Sequence, residues 1–277
     1  MQNKKQVLLT FNNAKTTKGE NIIDTESGLP YKTAILYLSA FKQNSKGINI
    51  CSHASKGCAE SCLVGSGHGG MIPQVFNGRV KKTEYFLSNR VDFLFQLKEE
   101  IEKNIKKFEG KNKLVIRLNG TSDLTWEKFK VFEGGKNIFE VFENLTFYDY
   151  TKNWTRFDKV LPSNYHLTFS RSETNEAKAI ELLKRGFNVA MVFTKLPETY
   201  KGFKVINADE NDLRFLDEKN VICGLKFKKL TGKGGGEKNI QAIKNGIVIN
   251  TTDIGESMLK YNKGIKRMSK KLETELV

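Results

Sequence analysis

The chain lacks the long apolar runs that membrane spans and secretion signals require. Nowhere do its 277 residues form an apolar stretch near the roughly 20 residues that cross a bilayer. The amino-terminal residues 1–7 include two lysines, but no apolar segment follows them as it would in an export signal. We therefore expect no membrane partner and a cytoplasmic location, where free thiols stay reduced.

Acidic residues are also in short supply relative to basic ones. The chain has 31 Asp and Glu against 46 Lys and Arg, which gives a formal net charge of +15. A surplus of this size favours anionic partners such as nucleic acid, nucleotides or phosphorylated substrates. A coding sequence rich in A and T also inflates lysine, so charge alone leaves nucleic-acid contact open. The oligomeric state is not indicated by the sequence.

Cysteine is rare, yet three of the four cysteines, Cys51, Cys58 and Cys62, fall within one short segment. Thiolates are soft ligands that suit zinc, copper(I) and iron-sulfur clusters. Three cysteines can hold a 4Fe-4S cluster and leave one iron open, whereas zinc requires a fourth ligand. We therefore predict a metal centre at these cysteines, with the 4Fe-4S cluster favoured. The alternative is zinc with His53 as the possible fourth ligand, or His68 in its place.

Apolar runs of strand length alternate with helical patterns along most of the chain. This alternation is typical of a largely parallel sheet with helical crossovers. We therefore predict the α/β class, as a partial TIM-barrel-like parallel β/α barrel whose Cys-rich loop follows a strand. The predicted strands are residues 7–11, 31–41, 114–118, 145–147, 165–169, 188–194, 203–206 and 221–227. The predicted helices are residues 73–87, 89–105 and 175–185.

The predicted barrel accounts for residues 1–228, which we interpret as one metal-binding domain. Residues 229–277 form a basic carboxyl-terminal extension that starts with a stretch rich in Lys and Gly. Within it, residues 254–272 place apolar side chains along one helical face and lysines elsewhere. That pattern indicates an amphipathic basic helix, which we expect to dock on the barrel, with nucleic-acid contact as the alternative.

Polar side chains follow several predicted strands at the point where each strand ends. In parallel α/β folds the carboxyl ends of the strands carry the reactive groups, so we expect these side chains and the cysteine loop to share one edge. Arginine and lysine there can hold a carboxylate or phosphate, and aspartate can bind ribose hydroxyls or act as a general base. The candidate catalytic residues are Asp123, Asp149 and Lys152. The candidate binding residues are Arg117, Asn119, Ser122, Tyr150, Ser170, Arg171 and Ser172.

Five sequence motifs together resemble a family of phage and plasmid proteins labelled rolling-circle replication proteins. They are Cys51-x6-Cys58-x3-Cys62 and the segments 117–123, 148–152, 166–172 and 212–217. The cysteine spacing and the Arg…Gly…Asp strand end are also similar to the phage gene-product-eighty-eight family. The cysteine pattern of that family is similar to the motif of radical S-adenosylmethionine enzymes. These resemblances imply a barrel-like fold with a cluster at the three cysteines.

The resemblances and the residues together predict a metalloprotein of a phage or mobile element, located in the host cytoplasm. We expect an iron-sulfur enzyme of radical-SAM-like type that acts on a nucleotide, a nucleic acid or a small anionic substrate. Its cofactors would be the 4Fe-4S cluster and S-adenosylmethionine. The alternative is a DNA-binding replication or phage accessory protein in which zinc or an iron-sulfur cluster has a structural role.

Overall fold

The structure is a computed structural model that describes residues 6–13, 16–60, 62, 72–229 and 235–251. The predicted helix at 254–272 and His68 lie outside these residues. The described strands are β1 Leu9–Thr10, β2 Tyr31–Leu36, β3 Lys113–Arg117, β4 Thr146–Thr151, β5 Tyr165–Ser170, β6 Val189–Phe193, β7 Thr199–Tyr200, β8 Phe203–Asn207, β9 Ile222–Lys226 and β10 Val248–Ile249. The described helices are α1 Lys56–Glu60, α2 Pro73–Ser88, α3 Arg90–Phe108, α4 Ile138–Val141, α5 Glu176–Lys184 and α6 Gly235–Lys244.

The ten described strands form one mostly parallel sheet in the order β1-β2-β3-β4-β5-β6-β9-β8-β7, and β10 pairs with β6. Only β1 with β2 and β7 with β8 pair antiparallel. The predicted α/β class with a largely parallel sheet is therefore confirmed. The end strands β1 and β7 do not pair with each other in the described part of the chain, so the sheet is open there and the predicted barrel closure is not confirmed.

Helices α2 and α3 cover one face of the sheet, which we call the helix face. Pro73 stands at the first helical position of α2, where its missing N–H costs no hydrogen bond. In α3, Phe93, Leu97 and Ile101 recur at four-residue spacing and are fully buried, so they form one apolar stripe. This stripe shares a core with the alternate side chains of β3, such as Ile116. No helix in the described ranges has the length and apolarity to cross a bilayer.

Residues 211–217 cover the opposite side of the sheet, which we call the inner face. Leu213 packs there with Tyr31, Val115 and Tyr148. Because neighbouring residues of a strand point to opposite faces, each strand contributes side chains to both environments. The inner face is therefore shielded by a segment that lies far from β3 and β4 in the sequence.

Residues 235–251, which the sequence assigns to the basic extension, contribute to the same sheet. Val248 and Ile249 of β10 pair in parallel with the last residues of β6, beyond the point where β5 stops pairing with that strand. Helix α6 packs against α1, the short helix within the cysteine segment. This part of the chain therefore adjoins the candidate metal loop.

Candidate functional site

The cysteine segment follows β2 and is attached at its start to the loop after β3. The Sγ of Cys51 accepts a hydrogen bond from the amide of Phe41 at 3.4 Å and donates to the carbonyl of Thr121 at 3.7 Å. Beside it, the amide of Asp123 donates to the carbonyl of Ile50 at 3.0 Å. Two adjacent contacts therefore hold the first cysteine above the carboxyl end of β3.

A second attachment joins the cysteine segment to the loop after β5. The carboxylate of Glu173 accepts from the amide of Gly57 at 2.8 Å and from the hydroxyl of Ser55 at 2.8 Å. The Ser55 hydroxyl in turn accepts from the amide of Cys58 at 3.1 Å. Because a side-chain oxygen that accepts from the third amide is a standard helix cap, Ser55 defines the start of α1. The segment is thus attached at its start and near its middle to the loops that follow β3 and β5.

Three polar residues, Asp123, Lys152 and Ser170, connect the ends of β3, β4 and β5, and we call them the strand-end cluster. The carboxylate of Asp123 accepts from the Oγ1 of Thr151 at 2.7 Å and from the amide of Lys152 at 2.9 Å. The Nζ of Lys152 then donates to the Oγ of Ser170 at 2.8 Å. Hydrogen bonds therefore connect the loop after β3, which contacts Cys51, to the ends of β4 and β5. The loop after β5 in turn contacts the cysteine segment through Glu173.

The three cysteines of this segment are half-buried thiols that form no disulfide among the described residues. Burial raises the pKa of Cys51 to about 12, the Phe41 amide opposes this, and Asp123, Cys62 and Cys58 reinforce it. Cys58 and Cys62 therefore each lie within electrostatic range of Cys51. In the described residues, no three His, Cys, Asp or Glu side chains converge closely enough to hold a metal ion. The three cysteines supply the kind of donor that zinc or an iron-sulfur cluster binds, and all three lie on one loop.

His53, the possible fourth ligand, lies on the same loop. Its Nδ1 is 2.9 Å from the hydroxyl of Ser52. The side chain is exposed, so the imidazole is accessible from solvent. Its position leaves the zinc alternative open.

Asp149 lies on the helix face, where it supports the loop after β3. Its carboxylate accepts from the amide of Asn119 at 2.7 Å and from the hydroxyl of Tyr165 at 2.9 Å. Burial raises the pKa of Asp149 to about 7 against the opposing effects of Arg117 and these hydrogen bonds. Asp149 is only 1% exposed, and these hydrogen bonds already engage its carboxylate. It therefore stabilises the conformation of the loop after β3.

Asn119 and Ser122 belong to the same support. The Oδ1 of Asn119 accepts from the Ser122 hydroxyl at 2.8 Å, the Leu124 amide at 2.9 Å and the Trp126 indole at 3.0 Å. These contacts fold the loop after β3 into the shape that presents Thr121 and Asp123 to the cysteine segment. Asn119 and Ser122 therefore stabilise the loop that carries Thr121 and Asp123.

Arg117 and Tyr150 lie together on the inner face, away from Asp149. The Nη1 of Arg117 donates to Oδ2 of Asp212 at 2.7 Å, and the Tyr150 hydroxyl is 3.3 Å from Oδ1 of Asp212. Burial alone would lower the pKa of Arg117, but Asp212 and the adjacent tyrosines outweigh it and raise that pKa. The guanidinium charge is therefore balanced within the protein.

Arg171 and Ser172 join the loop after β5 to its surroundings. The guanidinium of Arg171 donates to Oε2 of Glu176 at 2.5 Å and to the carbonyl of Gly246. The amide of Ser172 donates to Oδ1 of Asn175 at 2.6 Å. Both contacts fix the backbone that carries Ser170 and Glu173.

Four further residues shape this region that were not among the nominated site residues. Glu173 and Gly57 are adjacent to nominated residues, so their positions within the motifs were an available signal. Asp212 begins the motif at 212–217, which was an available signal, but nothing local indicates its contact with Arg117. Arg79 lies on α2 with its guanidinium 4.9 Å from the ring centre of Tyr37, and the charge of Cys62 is within electrostatic range of it.

The fold and the site together define a mostly parallel α/β protein with a cysteine segment fastened over its strand ends. The family model for Gene product 88, a phage family, matches residues 7–250, and the chain belongs to this family. The match extends from β1 to β10. No curated protein and no solved structure matches the chain. The resemblance to the phage family is confirmed, whereas the family match supports neither the rolling-circle label nor a radical S-adenosylmethionine motif.

Proposed function

We propose that the chain is an iron-sulfur enzyme of a phage or mobile element that acts on an anionic substrate at the carboxyl ends of β3, β4 and β5. One observation carries the proposal: the cysteine segment is attached at its start, through Thr121, and near its middle, through Glu173, to the loops that follow β3 and β5. Parallel α/β proteins gather their reactive groups at this edge. Asp123 supports this grouping, because its amide contacts Ile50, the residue before Cys51, and its carboxylate contacts the amide of Lys152.

In this proposal Cys51, Cys58 and Cys62 hold a 4Fe-4S cluster. A cluster held by three thiolates supplies electron transfer and one open iron position for a substrate or for S-adenosylmethionine. Lys152 and Ser170 bind the anionic group of the substrate, a nucleotide, a nucleic acid or a small anion. The net charge of +15 supports an anionic substrate.

The remaining nominated residues have supporting roles in this proposal. Both carboxylate oxygens of Asp123 accept hydrogen bonds from β4, so Asp123 positions Lys152. Arg117 is paired with Asp212, and Asp149 holds Asn119. The consecutive parallel strands β2 to β6 support our interpretation of the sheet as part of a barrel.

Metal analysis after anaerobic purification tests the proposal. We expect iron and acid-labile sulfide in about equal amounts, with a broad visible absorption that reductant bleaches. Zinc without sulfide would contradict the cluster. Incubation of the reduced protein with S-adenosylmethionine then tests for deoxyadenosine as a product, and its absence would remove that cofactor from the proposal.

The second candidate is a DNA-binding replication or accessory protein in which zinc or a cluster is structural. The net charge of +15 favours it. DNA binding whose affinity falls steeply with salt, without metal-dependent turnover, would support this candidate. This second candidate does not include a nicking mechanism. Rolling-circle initiators resemble one another in binding metal with two histidines that are separated by one apolar residue. The three histidines here, His53, His68 and His166, form no such pair.

A further inference from the structure

We propose that Glu173 is a positioning residue that fixes the Cys58 arm of the candidate metal loop. The inference rests on the proposed function, because it takes Cys58 as a metal ligand. Glu173 lies in the loop after β5 and reaches the cysteine segment across more than a hundred residues of sequence, as the separations of 116 and 118 residues show. It acts through Gly57 and Ser55.

The contact at Gly57 requires the absence of a side chain. A Cβ atom at this position would lie 2.7 Å from Oε1 and 2.8 Å from Cδ of Glu173, and 2.9 Å from Nδ2 of Asn245. Real Cβ atoms essentially never come within 3.0 Å of such atoms. Glycine therefore lets the backbone amide approach the carboxylate to 2.8 Å.

Ser55 connects the Glu173 carboxylate to the backbone of Cys58. Its hydroxyl donates to Oε2 of Glu173 and accepts from the amide of Cys58, so the carboxylate is two hydrogen bonds away from the ligand's backbone. Hydrogen bonds to an ionised carboxylate are stronger than those between neutral groups. The backbone of Cys58 is thus fixed by this network before any metal binds.

The loop that carries Glu173 begins directly after Ser170, the last residue of β5. The Oγ of Ser170 accepts from the Nζ of Lys152, and its carbonyl accepts from the side-chain Nδ2 of Asn175. A shift of this loop therefore moves the strand-end cluster and the Cys58 arm together. Glu173 links the anion-binding residues of the proposed site to its metal loop.

The first test compares metal retention in Glu173→Ala, Glu173→Gln and a control. We expect Glu173→Ala to lose iron to a chelator at least about ten-fold faster than the unmodified protein, as is common when a group that orients a ligand is removed. Glutamine should restore retention to near the original rate, because its amide oxygen can accept from Gly57 and its nitrogen can donate to Ser55. Glu181→Ala, which removes only pairs with the partly exposed Lys178 and Arg185, should retain metal normally.

The second test uses the metal-free protein, so it does not depend on the identity of the metal. Removing the carboxylate should speed alkylation of Cys58 several-fold, measured by peptide mass spectrometry, while the buried Cys223 stays unreactive. If the unmodified protein holds no metal, the proposed function fails, but this rate still decides the role of Glu173. Equal alkylation rates, or equal metal loss in a protein that does hold metal, would overturn the inference.

A milder variant covers the case in which Glu173→Ala does not fold, as judged by circular dichroism. Ser55→Ala removes one hydroxyl and leaves the Gly57 contact in place. We expect the same direction of change in the Cys58 alkylation rate, with a smaller size. A Ser55→Ala protein indistinguishable from the original would overturn the proposal.

Discussion

Arg117 and Asp212 form a buried ion pair on the inner face, with Nη1 2.7 Å from Oδ2, although they are 95 positions apart in the sequence. Arg117 is only 5% exposed, so its charge depends on this partner. The pair attaches residues 211–217 to the end of β3. It also explains why the arginine nominated as an anion ligand is already engaged.

Asp212→Ala should destabilise the fold strongly, because it leaves a buried guanidinium without its main counter-charge. We expect a loss of about 3 kcal/mol or more in the free energy of unfolding, measured by urea denaturation. The control is Asp158→Ala, which breaks a surface pair with Arg185 and should cost less than about 1 kcal/mol. Equal losses in the two variants would contradict a structural role for the buried pair.

Asp149→Asn should flatten the pH dependence of stability. Burial raises the pKa of Asp149 to about 7 from 3.8, so between these values the folded protein binds a proton that the unfolded chain has released. The contribution of Asp149 to stability is therefore fully present below about pH 4 and is lost as the pH rises toward about 7, by up to roughly 1.4 kcal/mol per pH unit. Asparagine is neutral throughout and can still accept from the Asn119 amide.

Denaturation of both proteins across this pH range measures the difference. The unmodified protein should lose stability relative to Asp149→Asn as the pH rises, and the two should diverge no further above the raised pKa. Stability curves that run parallel would show that Asp149 titrates normally in the fold.

Gly120→Ala should destabilise the loop after β3. A Cβ atom there would lie 2.6 Å from Cγ2 of Ile35, 2.7 Å from Cδ1 of Tyr37 and 2.8 Å from the Leu36 carbonyl. Overpacking of this kind costs about 1–3 kcal/mol, which thermal or urea unfolding can detect. Gly236→Ala is the control, because nothing lies within 4 Å of its added Cβ and helix α6 should tolerate or favour alanine. A Gly120→Ala protein as stable as that control would contradict the close packing.

The elements of the fold were largely predictable because their apolar spacing is regular. The two helices on either side of Asn89 match the sequence prediction, whereas β4 extends to Thr151, beyond the strand predicted at 145–147. Tyr148 and Tyr150 lie on the face opposite Asp149, as period-two alternation requires. These features depend on local spacing alone.

The assembly of the site was less predictable because it depends on strand register. Arg117 and Asp149 were expected to converge, and both do lie at the carboxyl ends of adjacent strands. The pairing of Ile116 with Phe147 aligns Arg117 with Tyr148, so Asp149 points to the other face. A shift of one residue would reverse this outcome, and no single strand encodes it. Asp212 reaches the site through a long-range contact that no local pattern predicts.

Serine substitution of Cys51, Cys58 or Cys62 should abolish or strongly reduce bound metal. A hydroxyl is a hard, neutral donor and replaces a thiolate poorly for zinc or iron-sulfur ligation. Cys223→Ser is the control, because that thiol is buried on β9 and donates to Asp217 at 3.4 Å, away from the cysteine segment. Iron, sulfide and zinc content per chain gives the measurement. Metal retained by all three loop variants would remove the cysteine segment as the metal site.

Lys152→Gln should weaken binding of an anionic ligand and reduce its salt dependence. The Nζ of Lys152 contacts Ser170, and no Asp or Glu forms an ion pair with it in the part of the chain that the structure describes, so its charge is available to a ligand. The loss of one phosphate contact lowers the slope of log K against log salt by roughly 0.7 for a single strand. Fluorescence anisotropy of a labelled single-stranded oligonucleotide at several salt concentrations measures this slope.

Lys204→Gln is the control for this prediction. It removes an exposed lysine paired with Glu218 and should leave the slope nearly unchanged. If both variants change the slope equally, the oligonucleotide is held by diffuse positive charge, and the strand-end cluster does not bind it.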